Sequence, residues 1–346
     1  MATIRDVAKM AGVSISTVSL ALNNSEKVSN ATNRKVWAAA KSVGYSPNPI
    51  AQSLARGHTD LIGMIVGDVA NPFFGQLLKE VEHRFLDQGH LVVVSDTEAD
   101  PERELAMLDH LAAQRAAGAL LSPHGSKPDY VARIRKAPMP LVLIDHKVEG
   151  VDADFVSSDN ILASAMITEH VIRLGHHRIA HISGSDGLWT SDQRKLGFRQ
   201  TMNAAGVAID ESLIVQGHYG GDRAYECTMR LLTMQDRPTA ILAANNVMAL
   251  GALQAMNDLG VRCPEDVSLA SIDDVPWGNV IQPRITMVFQ PISEIATIAT
   301  KFLLERINER GGPKAPAREV ILIPKLSVGT SCAPPPKSGT VAPSPC

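Results

Sequence analysis

Apolar side chains recur at helical spacing near the start of the chain, and this pattern predicts two short helices joined by a tight turn. Gly12 supplies the conformational freedom that the turn needs, and Ser14 stands at the N-cap position of the second helix, where its hydroxyl can accept a backbone N–H. A third helix is expected from the cap residue Ser29 to Val43, with Gly44 at its C-terminal end. The pattern therefore predicts a small unit of three helices.

From residue 60 onward the pattern changes to short apolar runs that alternate with amphipathic segments, which predicts β-α-β units and parallel sheets. The first series of strands and helices is expected at 61–66, 73–88, 91–95, 101–115, 118–121, 129–136 and 141–144. The second series is expected at 161–174, 178–182, 192–205, 223–232, 240–243, 247–259 and 267–271. A helix at 293–308 and a strand at 319–323 follow. Two α/β halves in one chain place a ligand crevice at the carboxyl ends of their strands.

Polar residues follow the predicted strands, and several of them stand beside aromatic residues. Carboxylate and amide groups bind hydroxyls, and an aromatic face stacks on the apolar side of a ligand, so this combination suits a small hydroxylated molecule. Phe73 follows the first strand, and Trp189 lies in the segment after the strand at 178–182. Both are therefore candidates for the crevice.

Positive charge is concentrated in the first 58 residues, which hold seven basic and two acidic side chains. This segment carries +5 and leaves −8 for the remainder of a chain whose net charge is −3. A basic module on a mildly acidic protein is the electrostatic footprint expected for contacts with DNA phosphates. A helix-turn-helix of this kind lays its second helix in the DNA major groove, although any small helical bundle contains a similar pair of helices.

Composition limits the other classes of function. The 346 residues are 45% hydrophobic, which is ordinary for a globular chain of two or three domains. No apolar run approaches the roughly 18 residues of a membrane span and no signal region precedes the first charges, so we expect no membrane contact and a cytoplasmic location. The four cysteines lie far apart, and the histidines near position 176 straddle a helix end, a turn and a strand, so we expect no metal and no cofactor. The phosphate-loop and nucleophile-elbow motifs of enzymes are missing from the sequence, so we expect no enzyme.

Seven stretches between residues 3 and 290 carry a resemblance to a known family, in that family's order. They are TIRDVAKMAGVSISTVSLALN, VSNATNRKVWAAAKSVGYSPN, IAQSLARGHTDLIGMIV, NPFF, LGHHRIAHISG, NNVMALGA and SIDDVPW. On these motifs the chain resembles the LacI/GalR (lactose-repressor) family of bacterial transcriptional regulators. The resemblance implies a homodimeric repressor that binds a pseudopalindromic double-stranded DNA operator under the control of a small effector. The fold it implies is a small all-α helix-turn-helix headpiece plus an α/β periplasmic-binding-protein-like core of two parallel-sheet subdomains.

The resemblance also divides the chain. The headpiece covers residues 1–46, and residues 47–59 form a hinge helix and linker. The N-terminal core subdomain covers 60–158 with 293–323, and the C-terminal one covers 159–292 with 324–330, so that three crossings form a hinge. The Pro-rich residues 331–346 are expected to be a disordered tail, because they contain too little apolar surface to pack. This segment lacks the leucine-heptad helix that builds tetramers in some family members, so we expect a dimer.

The positions expected to contact DNA lie in the helix-turn-helix and the hinge helix. Leu54 occupies the position of the family's wedge residue, which enters a central base step and kinks the duplex. Many members have arginine where this chain has Leu20, and leucine offers only apolar contact, such as with a thymine methyl. The operator sequence is therefore not transferable. The full set is Thr3, Ser14, Ile15, Ser16, Thr17, Ser19, Leu20, Asn23, Lys27, Thr32, Tyr45, Asn48, Ala51 and Leu54.

Six residues at strand ends match effector-contact positions of the family. They are Phe74, Asp145, His146, Arg194, Asn245 and Asp273. Each has a structural alternative, because a phenylalanine can belong to the core, an aspartate can cap a helix and an asparagine can brace a turn. Most members have aspartate where this chain has Asn246, so one carboxylate near the crevice is missing.

We expect the effector to be an inducing sugar or sugar derivative. A sugar acid or a sugar phosphate stays open, because the Arg194 and His146 positions suit an anion as well. The alternative function is a solute-binding protein that carries unrelated N-terminal helices. An export signal would favour that alternative, and the basic headpiece favours the regulator.

Overall fold

The structure is a computed structural model that describes residues 2–22, 28–46, 57–274, 278, 280, 282–309 and 315–336. The N-terminal unit contains the helices α1 (Ile4–Ala11), α2 (Ile15–Leu22) and α3 (Asn30–Ser42). Their apolar faces meet in a common core, so this part of the chain has the expected all-α headpiece fold.

Local sequence explains where the headpiece helices begin and end. Gly12 ends α1 with a φ of +63°, in the left-handed region that glycine adopts without strain. The Ser14 hydroxyl accepts a hydrogen bond from the backbone N–H of Thr17 at 3.1 Å, as expected for a residue that caps α2. The Ser29 hydroxyl does the same for Thr32 at 3.2 Å and caps α3.

Two α/β series follow the headpiece. The first contains β1 (Leu61–Val66), α4 (Pro72–Leu86), β2 (Leu91–Asp96), α5 (Pro101–Ala113), β3 (Gly118–Leu121), α6 (Pro128–Arg135), β4 (Leu141–Ile144) and β5 (Asp154–Ser158). The second contains α7 (Asn160–Arg173), β6 (Ile179–Ser183), α8 (Trp189–Ala204), β7 (Ile214–Gln216), α9 (Gly221–Leu232), β8 (Ala240–Ala243), α10 (Asn246–Asp258), β9 (Ser268–Ile272) and β10 (Thr286–Phe289). The chain then forms α11 (Ile292–Asn308), β11 (Glu319–Leu322) and β12 (Lys325–Ser327).

Each series builds one six-stranded sheet. The first sheet has the order β11-β5-β4-β3-β1-β2, and all its strands are parallel. The second has the order β12-β10-β9-β8-β6-β7 and is parallel apart from β12, which runs antiparallel to β10. Apolar side chains of each sheet belong to two separate buried clusters, as expected for parallel sheets with helices on both faces.

The chain passes between the two sheets three times. The first crossing joins β5 to α7, the second joins β10 to α11, and the third joins β11 to β12. The α11 helix packs against α4 and the first sheet, whereas β10 stays in the second sheet. The expected core of two parallel-sheet subdomains is therefore confirmed.

The structure contains four strands that the hydrophobic pattern did not predict: β5, β7, β10 and β12. Polar residues interrupt β5, where Asp154, Ser157 and Ser158 are all buried. The strands β7 and β12 have only three residues each, which is too short for a periodic signal. A further difference concerns α8, which begins at Trp189 and so starts three residues before the expected position.

The expected start of the disordered tail at residue 331 is wrong. Ser331 is fully buried, and its hydroxyl donates to the Leu269 carbonyl at 2.5 Å. The Ala333 carbonyl accepts from the Ser268 hydroxyl at 3.1 Å and lies 2.8 Å from Nε2 of His176. These hydrogen bonds, together with the packing of Cys332 on an apolar cluster, hold the segment on the second subdomain. Residues 337–346 of the predicted tail lie outside the described residues.

Candidate functional site

A cavity of about 530 Å³ lies between the two subdomains, at the carboxyl ends of their strands. Its walls come from the loops that follow β1, β2, β3 and β4 in the first subdomain and β6, β7, β8, β9 and β10 in the second. This volume is in the range of sites that enclose a small molecule. The cavity is called the cleft below.

Arg194, in the second turn of α8, is the cationic centre of the cleft and is only 3% exposed. Its Nε donates to the Asn160 side-chain oxygen at 2.7 Å, and its Nη1 donates to the Ala244 carbonyl. Nη1 also lies 3.8 Å from Oδ2 of Asp273. These partners fix the guanidinium in one orientation, as a buried charge requires.

Two aspartates occupy equivalent positions in the two subdomains. Asp145 follows β4 with a φ of +63°, and Asp273 follows β9 with a φ of +70°. Their backbone N–H groups donate to the carbonyls of Val156 and Val288, at 3.2 and 2.9 Å, in the next strand of each sheet. The two positive φ values lie in the left-handed region, where aspartate is among the few residues other than glycine that are tolerated.

Burial dominates the electrostatics of these carboxyl groups. It raises the pKa of Asp145 to about 6, although Arg194 opposes the shift. Burial also raises the pKa of Asp273, against Arg194 and against a hydrogen bond of 2.5 Å that Nε2 of Gln290 donates to Oδ1. Both groups are therefore poised to gain from a ligand that donates hydrogen bonds.

Two histidines of the first subdomain meet beside Asp145. Nε2 of His146 lies 3.3 Å from Oδ2 of Asp145, and the His146 ring packs edge-to-face on the His124 ring with centroids 4.9 Å apart. Burial lowers the pKa of His146 well below its ordinary value, so the ring is neutral near neutral pH. Among the described residues, Nδ1 of His146 has no hydrogen-bond partner.

Aromatic side chains form the apolar part of the cleft. Phe73 and Phe74 lie in the first turn of α4, where Asn71 caps the helix by accepting from the Phe73 N–H at 3.0 Å, and their rings meet edge-to-face at 5.1 Å. Tyr219 covers Arg194 with 5.8 Å between the ring centroid and the guanidinium carbon. Its hydroxyl is 2.8 Å from the Thr190 hydroxyl.

Seven of the eight candidate residues line the cleft together: Phe73, Phe74, Asp145, His146, Arg194, Asn245 and Asp273. Asn245 also has the structural role considered above, since its Oδ1 caps α10 by accepting from the Met248 N–H at 2.8 Å. Trp189 is not among the residues that line the cleft. As the first residue of α8 it packs edge-to-face on Phe155 of the first subdomain at 5.3 Å, so the structure does not bring it together with the other candidates.

The residues of the cleft that the sequence did not indicate include His124, Tyr219 and Gln290. Tyr219 and Gln290 follow β7 and β10, which the pattern did not predict, so no strand end pointed to them. A signal for His124 did exist, since it stands three residues after the predicted strand that ends at Leu121.

The DNA-contact candidates of the described headpiece lie at or near its surface. Thr3, Ser14, Ser16 and two apolar residues of α2 are exposed, with Ile15 at 46% and Leu20 at 41%. Thr17, Ser19, Thr32 and Tyr45 are half-buried. The candidates Asn23, Lys27, Asn48, Ala51 and Leu54 lie outside the described residues, as does the predicted hinge helix.

Where the structure describes the chain, no group of three or more His, Cys, Asp or Glu side chains is placed to hold a metal ion. His176 bonds to Thr239 and Ala333, and His181 stacks on Phe198, so two of the histidines noted in the sequence have structural neighbours. None of the described helices has the length and apolar content that crossing a membrane requires.

A basic headpiece with a helix-turn-helix, joined to a two-subdomain body with a polar cleft, defines the class of ligand-responsive transcription regulators. Comparisons with known proteins agree. Residues 3–48 match the bacterial regulatory proteins of the lacI family, and residues 168–332 match a periplasmic binding protein-like domain.

The chain belongs to the LacI family of bacterial transcriptional regulators. The transcriptional repressor PurR of Haemophilus influenzae (strain PittEE) is 33% identical over 332 residues, which are 96% of this chain and 98% of PurR. The transcriptional regulator DegA of Bacillus subtilis (strain 168) is 34% identical over 336 residues, again 96% of this chain and 98% of the relative.

Solved structures of the family extend the likeness to the whole architecture. A lac repressor dimer bound to operator and the anti-inducer ONPF gives a TM-score of 0.80 at 26% identity, and the match covers 96% of this chain and 99% of that one. The transcriptional regulator CelR in complex with cellobiose gives a TM-score of 0.72 at 28% identity, with 96% and 100% covered. The protein is therefore a DNA-binding regulator with an effector cleft, and its relatives are regulators rather than enzymes.

Proposed function

We propose that this protein is a homodimeric repressor whose affinity for a pseudopalindromic operator is set by a sugar or sugar derivative bound in the cleft. The observation that carries the proposal is the buried Arg194 between two strained aspartates at the strand ends, Asp145 and Asp273. Fixed donors and acceptors that converge in this way can bind adjacent hydroxyls. The phenylalanines of α4 and Tyr219 supply apolar faces for the carbon side of a sugar ring.

The relatives support a carbohydrate in particular. CelR was solved with cellobiose, at 28% identity and over nearly the whole of both chains. A cavity of about 530 Å³ is large enough for a mono- or disaccharide.

An exposed apolar edge supports the dimer. The strand β2 lies at the edge of the first sheet, and there Leu91 is 60% exposed, Val93 43% and Val94 37%. An unpaired edge with this composition is a liability for a monomer, and covering it is a reason to associate. The lac repressor structure that this chain resembles is a dimer on operator DNA.

The mechanism is linkage between two sites. Two headpieces must reach half-sites that are about one helical turn of DNA apart, and the contact between the first subdomains of the two protomers sets that separation. A ligand that touches both walls of the cleft favours one relative orientation of the subdomains and so changes the spacing. By reciprocity, operator DNA must change the affinity for the effector by the same factor.

DNA contact is assigned to the exposed face of α2, with Ser16 and Leu20 facing base edges and Thr3 and Tyr45 near phosphates. Leu20 offers a thymine methyl an apolar partner and no hydrogen bond, so base readout is weaker here than with arginine. The hinge segment adds the wedge residue Leu54, which stays a sequence prediction. Specificity then depends in part on how easily the central base step deforms.

The test uses the full-length chain in two stages. Sequences bound by the protein are first selected from a random duplex pool, and their symmetry and the oligomeric state are measured. Thermal-shift screening of a panel of sugars, sugar phosphates, sugar acids and nucleobases then identifies ligands, which are added to an operator titration at fixed salt. We expect a two-fold symmetric operator and a carbohydrate that changes operator affinity at least tenfold.

A variant pair connects the ligand to the cleft. Arg194→Met should abolish the response to the carbohydrate while operator binding persists, because the headpiece is untouched. Arg199→Met, on the same helix but paired with Glu211 at its surface, is the matched control and should respond normally. If the chain is monomeric and enriches no DNA sequence, the proposal of a regulator is overturned and the alternative of a solute-binding protein is favoured. If nucleobases alone stabilise the protein, the proposal of a sugar effector is overturned.

A further inference from the structure

A buried carboxylate lies behind the cleft wall of the first subdomain. Glu104 of α5 has no exposed surface, yet its two oxygens are fully used by neighbouring donors. The backbone N–H of His124 lies 3.1 Å from each oxygen, Nδ1 of His124 lies 2.8 Å from Oε1, and the Tyr130 hydroxyl donates to Oε2. Glu104, His124 and Tyr130 are called the Glu104 cluster below.

These contacts determine which nitrogen of His124 carries the proton. The backbone N–H can only donate, and burial together with the negative charge of Glu104 raises the pKa of Tyr130, so its hydroxyl remains a donor. A carboxylate that accepts from both has no proton to offer Nδ1, and Nδ1 must therefore donate to it. In the neutral ring, Nε2 then carries the lone pair and can only accept a hydrogen bond.

The lone pair of His124 is open to the cleft. The ring is part of the cleft wall, and Nε2 makes no hydrogen bond with any residue that the structure describes. The ring also packs closely on Gly67, where a side chain would come within 2.6 Å of Nε2. Glu104 therefore holds the Nδ1 side of the ring and the backbone after β1 packs on its Cε1–Nε2 edge, while the residue as a whole is part of the cleft wall.

The charges of the cleft leave little to attract an anion. Arg194 is the one arginine or lysine among the described residues that line it, and both Asp145 and Asp273 act on its charge. The lip of the first subdomain adds Asp68 and Asp96. These carboxylates would repel a phosphate or carboxylate group in the cleft, and the charge of Arg194 is already compensated by the two aspartates.

We propose that the Glu104 cluster makes His124 a hydrogen-bond acceptor for a hydroxyl of the effector, and that the cleft thereby selects an uncharged polyhydroxylated molecule over its phosphorylated or carboxylated analogue. This inference rests on the proposed function, since it names the chemical class of the ligand in the same cleft. Glu104 is a positioning residue, because it reaches the ligand only through His124.

The first experiment reads the tautomer directly and needs no ligand. Nitrogen-15 spectra of the imidazole rings are recorded at pH 8 on the full chain, with His124→Gln to assign the signal. We expect a protonated Nδ1 and a bare Nε2 in the wild type. In Glu104→Leu the carboxylate that accepts from Nδ1 is gone and only the Ser122 carbonyl, 3.1 Å from Nδ1, still accepts from it, so part of the population should move its proton to Nε2. Glu102→Leu, at an exposed position of the same helix, should leave the spectrum unchanged. A bare Nδ1 in the wild type, or the same spectrum in Glu104→Leu, overturns the proposal.

The second experiment measures how strongly the cleft prefers an uncharged sugar to its phosphorylated or carboxylated analogue. D-ribose, D-glucose and cellobiose are titrated beside ribose 5-phosphate, glucose 6-phosphate and gluconate. We expect an uncharged member to bind at least tenfold more tightly than its anionic analogue, and His124→Phe to lose at least tenfold in affinity for it. Tyr130→Phe, which retains the His124 ring and its hydrogen bond to Glu104, should lose less.

The outcomes separate the two levels of the argument. Tighter binding of the phosphates or the acid overturns the selection proposed here and leaves a carbohydrate regulator standing. Binding of nucleobases with no response to any sugar overturns the proposal that the effector is a sugar. It also overturns the role of His124 as a hydroxyl acceptor. An unchanged affinity in His124→Phe overturns that role even when a neutral sugar binds.

Discussion

Replacing Asp145 with asparagine is expected to stabilise the folded protein above neutral pH while it impairs the response to the effector. The residue is 8% exposed, and its backbone has a φ of +63°. Asparagine has the same shape and tolerates the left-handed region as well as aspartate does. The substitution therefore leaves the backbone strain in place and removes only the charge.

The magnitude follows from the pKa of this group. Burial raises the pKa of Asp145 from 3.8 to about 6, with Arg194 opposing and Asp273 reinforcing the shift. A shift of about two units corresponds to about 3 kcal/mol at about 1.4 kcal/mol per unit. Because the folded-state pKa is the higher one, the stabilisation from proton binding is complete below about pH 4 and is lost as the pH rises through about 6. At pH 8 the wild type has lost all of it, and the asparagine variant has lost none.

The assay is urea unfolding of both proteins at equal concentration between pH 4 and pH 8. We expect Asp145→Asn to have a free energy of unfolding higher by about 3 kcal/mol at pH 8, and a difference of about half that near pH 5. Asp152→Asn, at an exposed position nearby, is the control and should show no such trend. A variant that is less stable than the wild type at pH 8, or a gain that does not change with pH, would refute the reasoning.

Three further changes have defined outcomes. Asp154→Asn should lower the free energy of unfolding at neutral pH by about 2.5 kcal/mol in urea titrations. Burial raises the pKa of this carboxyl, but hydrogen bonds from two arginines outweigh burial and lower the pKa to about 2. The loss of stability should therefore vanish as the pH falls through about 2. Gly184→Ala would place a methyl carbon 2.4 Å from the Tyr219 ring, so ligand titration should show at least a tenfold weaker affinity, with no change in operator binding. Ser14→Ala removes the hydrogen bond to the Thr17 N–H and should destabilise the headpiece by about 1 kcal/mol, seen as faster amide exchange in α2 and weaker operator binding.

The hydrophobic pattern predicted the helices and strands whose own sequences are clearly apolar where they are buried. Strands such as β1 and β8 are uninterrupted apolar runs, and the structure has them at the predicted positions. The strand β5 is different, because its buried Asp154 is paired with Arg306 and Arg318, more than 150 residues away along the chain. A local pattern cannot reveal a polar residue whose partners come from distant segments.

The same limit applies to the cleft. Residues after predicted strands, such as Asp145 and Asp273, were found because strand ends converge in this fold. Tyr219 and Gln290 follow strands that the pattern missed, so their positions were missed with them. Trp189 does not line the cleft with the others: α8 begins at this residue, three residues before the predicted start, and its indole ring packs on Phe155.

The Pro-rich C-terminal segment shows that a chain with little apolar content can be ordered by hydrogen bonds and by the packing of a single residue, Cys332. Ser331 and Ala333 are held by backbone and hydroxyl hydrogen bonds to β9 and by His176. These bonds complete the edge of a subdomain whose own polar groups need partners. The composition of a segment shows how much apolar surface it can bury. It does not show which hydrogen-bond partners a neighbouring segment requires.

Several unfavourable features of this molecule lie where its two subdomains meet. Asp145 and Asp273 both have left-handed backbones, both have raised pKa values, and each belongs to a different sheet, while Arg194 acts on both from the second subdomain. A ligand whose hydroxyls donate to both carboxylates relieves the cost of burying them, and it can do so only while both walls of the cleft are in contact with it. The energy of binding is thereby coupled to one relative orientation of the subdomains. At a hundred times its Kd such a ligand adds about 2.7 kcal/mol to the stability of that orientation, which is in the range that allosteric coupling requires.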